Sequence, residues 1–121
     1  MASTPDLIKL AVERFQAEVP ALQKLKLVFG LELKAKHDIQ LYRVEVPGPV
    51  IKKDIAADAR VRIEMRRDFF NLMVEHGAKV ADWEQAFNEG RAKATGDSNV
   101  KKLIAQVVER HEERARLKKA H

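Results

Sequence analysis

The stretch Ala59-Arg-Val-Arg-Ile-Glu-Met-Arg66 alternates strictly between apolar and charged side chains. Val61, Ile63 and Met65 share one face and Arg60, Arg62, Glu64 and Arg66 the other, so a period of two commits the segment to a strand with one wet side. Asp68 then stands as the N-cap of a short helix in which Phe69, Phe70, Leu72, Met73 and Val74 recur at helical spacing. Gly77 ends it, being the residue type that most readily takes the left-handed conformation. Asp82-Trp-Glu-Gln85 reads as a capped start of a second helix carrying Trp83, Ala86 and Phe87 as far as Gly90. Arg91 to Thr95 alternates again, with Ala92 and Ala94 inward, and Gly96 turns the chain. Four of the six Phe and Trp residues therefore sit on two short helices, opposite strands whose inward groups include two alanines. Large groups facing small ones leave either a tightly filled core or a cavity.

Upstream, Thr4 as cap, Pro5 at the first helical position and Asp6 in the first turn open a helix. Ile8, Ala11, Val12, Phe15 and Val19 form its apolar stripe, and it stops near Pro20. Its expected role is to pack that stripe on the domain. Leu25 to Lys34 alternates, with Leu25, Leu27, Phe29, Leu31 and Leu33 on one face, while Gly30 on the other marks a bulge or a close approach. Lys36-His-Asp38 is the turn into a partner strand from Ile39 to Val46. Its pattern is mixed, because Tyr42, Val44 and Val46 share one face while Ile39 and Leu41 start on the other; a bulge near Leu41 or Tyr42 reconciles the two. Pro47-Gly-Pro49 forces a turn, and Val50 to Ile55 is a third, peripheral strand of an antiparallel meander. Downstream of Gly96, Asp97 or Ser98 caps a long helix with Val100, Leu103, Ile104, Val107 and Val108 as its stripe. Beyond Glu109 it has only Leu117 as a large apolar residue and is expected to project or fray.

At 121 residues the chain is expected to be one domain, residues 1–121, ending in a charged helical tail over 110–121. No apolar run approaches the roughly 18 residues a membrane span requires. The opening residues lack a basic stretch and a long apolar region, so a cytoplasmic location is expected. With no cysteine, disulfides, thiolate metal sites and a cysteine nucleophile are excluded. The net charge of +5 suits an anionic partner, yet 18 acidic residues are interspersed among the 23 basic ones. His37, His76, His111 and His121 are scattered, and His111-Glu112 fails as a zinc-protease motif because position 115 is alanine. No glycine cluster forms a phosphate loop, and Ser3 and Ser98 read as helix caps rather than nucleophiles. No helix-turn-helix, zinc finger or aromatic stacking platform points to sequence-specific nucleic acid. The residues thus predict no catalytic group, no metal and no cofactor.

Ala57-Asp-Ala-Arg-Val-Arg-Ile-Glu-Met65, Asp68-Phe-Phe-Asn-Leu-Met73, Ala86-Phe-Asn-Glu-Gly90 and Lys93-Ala-Thr-Gly-Asp97 together resemble the second half of the sterol carrier protein 2 family. There a strand of the form DADVTITM leads to a D-F-x-x-L-M helix, an A-F-x-x-G segment, a G-D or G-N pair and a closing apolar helix. The resemblance runs from about Leu25 to Val108, with Pro47-Gly-Pro49, Lys36-His-Asp38 and the closing Lys-Lys-Ala-His121 departing from the family pattern. It implies an α/β (α+β) domain with a five-stranded, mainly antiparallel sheet covered by helices. It also implies a non-enzymatic carrier of fatty acid, acyl-CoA, phospholipid or sterol in an internal cavity. The alternative is a scaffold domain of the same fold with a filled core, acting by protein contact in a lipid or quinone pathway. Expected walls are Phe29, Leu31, Val61, Ile63, Phe70, Met73, Trp83 and Phe87, with Leu103, Ile104, Val107 and Val108 as a lid. Core packing is the plainer role for each taken singly. Arg60, Arg62, Arg66, Arg67 and Arg91 are candidates for a rim that holds a head group. Expected partners are a lipid or acyl ligand, an acidic membrane surface or partner protein, and a second copy in a homodimer.

Overall fold

The structure, a computed structural model, describes residues 3–120. Helix α1 spans Thr4–Glu18 and is followed by a 3-10 turn over Pro20–Lys24. Its cap is Ser3 rather than Thr4: the Ser3 hydroxyl accepts from the Asp6 N–H, and the Asp6 carboxylate accepts from the Ser3 N–H, both at 3.3 Å. Strands β1 (Leu27–Lys34), β2 (Ile39–Val46) and β3 (Val50–Lys52) come next, then β4 (Val61–Arg66), α2 (Arg67–Glu75), α3 (Val80–Asn88), β5 (Ala92–Gly96) and α4 (Ser98–Ala120). Asp68 and Asp82 lie inside their helices instead of capping them. Asp82 reaches back to accept from the Lys79 N–H at 2.8 Å, and α3 begins three residues earlier than its sequence signal, with Lys79 at the cap position. Gly77 ends the α2 segment with φ +70°, as its position predicts.

The five strands form one sheet in the order β3-β2-β1-β4-β5. All neighbours are antiparallel except β1 and β4, which run parallel. The meander therefore stops at β3, a strand half the expected length, and the chain crosses to the far side of β1 before entering β4. The crossover rests on the sheet face opposite the helices, where a Cβ on Gly30 would meet the Cβ of Ala56 at 3.4 Å. Close approach, not a bulge, explains Gly30. Nor is there a bulge in β2: Leu27↔Val46 through Lys34↔Ile39 pair without interruption. Leu41 and Ile39 simply sit on the outer face, the second of them 57% exposed.

Register then sorts the side chains. Phe29, Leu31 and Leu33 of β1 align with Val61, Ile63 and Met65 of β4, and these in turn with Gly96, Ala94 and Ala92 of β5. The outer face carries Glu32, Lys34, Arg43, Arg62 and Glu64, joined by Lys34–Glu64 at 3.3 Å and Arg62–Glu32 at 3.6 Å. Arg43 clasps both Asp58 oxygens, at 3.0 and 2.7 Å, tying the crossover to β2 and holding the Asp58 carboxyl below its usual range.

The long α4 continues as helix to Ala120; His121, the expected last residue of the charged tail, lies outside the described residues. Where α4 passes α3, Glu84 faces Glu112 and Glu109, and burial followed by Glu112 repulsion raises the Glu84 carboxyl above its ordinary value of 4.5. A carboxyl raised in the folded state opposes folding once ionised, and this opposition disappears below the unfolded-state pKa. Glu84→Gln is accordingly expected to raise the melting temperature at pH 7 slightly. The gain should vanish near pH 4, and thermal melts across that range check it.

Candidate functional site

Helix α1 is held over the sheet by its neighbours rather than by the central strands. Its closest backbone approaches are to α2, β3 and the 3-10 turn. Two polar anchors fix it: the Arg14 guanidinium donates to the Val74 carbonyl at 2.7 Å, and the Val80 N–H donates to the Glu18 carboxylate at 3.1 Å. The Glu18 carboxylate satisfies a first-turn N–H of α3 that has no partner within its own helix, and Arg14 adds a charged donor to a carbonyl that also accepts from the Gly77 N–H at 3.1 Å. A gap opens between α1 and strands β1 and β4, and it is a cavity of about 200 Å³. Ile8, Ala11, Val12 and Phe15 of α1 form its roof, with Leu22 of the 3-10 turn beside them. Leu25, Leu27, Phe29, Leu31, Val46, Val61, Ile63 and Met65 make the floor, and Phe70, Trp83, Phe87 and Ile104 the side wall. Phe70 and Trp83 pack with ring centroids 6.1 Å apart and planes tilted by 39°, within the range favourable for aromatic pairs.

Of the eighteen lining residues only Gln16 is polar, and none is charged. An enclosed engineered cavity of about 150 Å³ with similar walls stays dry and admits benzene. Chemically, the arrangement offers desolvation and little else. Among the described residues no group of three or more His, Cys, Asp or Glu is placed to hold a metal ion.

The structure brings eight of the twelve expected wall and lid residues onto this cavity: Phe29, Leu31, Val61, Ile63, Phe70, Trp83, Phe87 and Ile104. Met73, Leu103, Val107 and Val108 are elsewhere. On α2, Phe70 and Val74 are four apart and face the sheet, which turns Met73 with Phe69 into a separate groove between α2 and α3. On α4, Val107 and Val108 join Val19 and Val80 in a second, smaller core, leaving Ile104 one turn earlier to reach the chamber. Leu103 is 45% exposed. Ala92 and Ala94, whose small size prompted the expectation of a hollow, do not line it; Ala92 packs with Ala86 in the main core. The candidate rim is also displaced: no arginine lines the cavity, and Arg62, Arg66 and Arg91 pair with Glu32, Asp68 and Glu89. What sequence reasoning missed is the roof. The α1 stripe was legible, but an amphipathic stripe looks the same whether it closes on a sheet or stands off from it.

No protein-family model matches the sequence, and no curated protein does. Solved structures do. The chain is similar to palmitated SCP2L2 of Aedes aegypti, with TM-score 0.57 at 20% identity over 84% of this chain and 93% of that one. It is similar to sterol carrier protein 2 like 2 of the same organism, with TM-score 0.55 at 19% identity over 87% and 99%. The stereoselective inverting sec-alkylsulfatase Pisa1 from Pseudomonas sp. gives TM-score 0.53 at 14% identity over 81% of this chain but only 15% of that one. The fold is therefore sterol carrier protein 2-like, a five-stranded mixed sheet with helices. It occurs both as a nearly whole chain and as one segment of a large enzyme. Among the described residues no helix is long and apolar enough to cross a membrane.

Proposed function

We propose that the protein binds and carries a single apolar chain, without catalysing its conversion. The observation that supports this most directly is the uncharged cavity of about 200 Å³ beneath α1. Burying hydrocarbon there gains about 25 cal/mol per Å² of apolar surface, with no polar group lost from water on the protein side except at Gln16. Size selects among the lipids that the fold brings to mind. Pockets for drug-sized molecules run from about 300 to 1,000 Å³, so a cavity of about 200 Å³ favours one fatty-acyl chain of moderate length over a sterol ring system or a two-chain phospholipid. The similar Aedes aegypti protein described as palmitated accords with that choice. Phe29, Leu31, Val61, Ile63, Phe70, Trp83, Phe87 and Ile104 are the contacts, together with the α1 residues above them. An acidic membrane surface or a partner protein is the donor or acceptor on this reading.

Trp83 is the sole tryptophan and lines the cavity, so its emission reports occupancy. Titration with dodecanoate is expected to change that emission saturably, and native mass spectrometry of gently purified protein to show one acyl chain per protein. A flat titration together with a clean apo mass would overturn the carrier reading in favour of a scaffold domain.

A further inference from the structure

Gln16 is the one polar residue on an otherwise apolar wall. It sits on α1 between Phe15 and Ala17 and is only 9% exposed, and its side-chain Nε2, itself enclosed, has no hydrogen-bond partner among the described residues. A buried amide donor left unpaired is costly to the empty protein, whereas a leucine or methionine in the same place would not be. The contact that the residue does make is through its backbone, where the Gln16 carbonyl accepts from Gln23 Nε2 at 3.5 Å. Neighbouring cations are engaged elsewhere: Arg14, two residues before it, donates to the Val74 carbonyl.

We propose that Gln16 is the polar recognition point of the cavity, its amide N–H donating to a neutral acceptor oxygen, the carbonyl of a ketone, ester or thioester borne on the bound chain. This rests on the carrier reading above and narrows its ligand. The torsion carrying the terminal amide is soft and roughly two-fold, so a ligand oxygen at the wall draws the N–H₂ group toward it. The oxygen is neutral because, among the described residues, no lysine, arginine or histidine lines the chamber. A carboxylate drawn in beside one uncharged amide would lack a counter-charge, and burying an ion so poorly compensated is prohibitive. A free fatty acid thus goes in tail first with its carboxylate in water, while an ester or ketone can sink its carbonyl to the level of Gln16.

The test compares three probes of equal chain length, a 2-alkanone, the n-alkane and the free acid, by Trp83 emission with wild type, Gln16→Leu and the volume-matched Gln16→Met. The affinity ratio of ketone to alkane is expected to fall roughly three- to tenfold from wild type to either variant, the worth of one such hydrogen bond. A ratio unchanged in both variants overturns the role of Gln16 and leaves the carrier reading standing. Failure of wild type to bind any of the three probes overturns both. Should Gln16→Leu not fold, the Gln16→Met ratio decides alone.

Discussion

Replacing Ile63 with tryptophan is expected to all but abolish acyl-chain binding while the protein remains folded. Ile63 is half-buried in the cavity floor, at the middle of β4 and paired across the sheet with Leu31 and Ala94. Its added bulk goes into open space rather than into the main core, where Leu33, Val44 and Val74 are almost wholly enclosed. Overpacking a filled core costs about 1–3 kcal/mol, and a site backed by a void lies at the mild end. The ligand loses more. If the indole takes the room of three chain methylenes, the loss is roughly 2.4 kcal/mol at about 0.8 kcal/mol each, close to a fiftyfold rise in Kd. Calorimetric titration with dodecanoate, paired with a denaturant melt of the same sample, separates the two effects. Undiminished affinity in a folded Ile63→Trp protein would place the chain somewhere other than beneath α1.

Gly96→Ala is expected to be among the most damaging single substitutions in the chain, at about 3 kcal/mol or more. Gly96 pairs with Val61 at the end of β5 and has φ +124°, a conformation that side chains disfavour. A Cβ there would also collide with the Arg60 carbonyl oxygen and press on the Val61 Cα at 3.0 Å. Backbone on both sides leaves nothing soft to move. That same carbonyl accepts the Asp97 N–H at 2.8 Å as the chain turns toward α4, so the strain would spread to the connection and to a wall residue of the cavity. Such a loss is a large share of the 5–15 kcal/mol typical of a small domain. Urea denaturation monitored by circular dichroism measures it, and a loss under 1 kcal/mol would contradict the geometry.

Much of this architecture is legible in the residues because each strand carries its own period. The alternation of Val61, Ile63 and Met65 names the inner face of β4 without reference to any partner, and β2 from Ile39 to Val46 is bounded by turns on both sides. Pairing is another matter. Nothing local says that β4 lies beside β1 rather than β3, because that choice depends on a crossover over Gly30 whose fit involves Ala56, Ala59 and Arg62 at once. The site was half legible for a similar reason. Phe70, Trp83 and Phe87 advertise bulk, but whether a helix at the ends of two polar anchors stands off from a sheet is decided by Arg14 and Glu18 reaching residues 60 or more positions away. Gln16 left no trace at all, since a glutamine in a helix is unremarkable until its surroundings are known.

An open sheet has two margins, and an unprotected margin can zip onto a neighbour's. Here the two margins are β3, three residues long and entered directly from Pro49, and β5, five residues long with an outward Lys93 and a terminal glycine. Margins so brief and so awkward offer another molecule few hydrogen bonds to complete. A second copy of the chain therefore finds little at either margin on which to extend the sheet, and edge-to-edge aggregation is disfavoured.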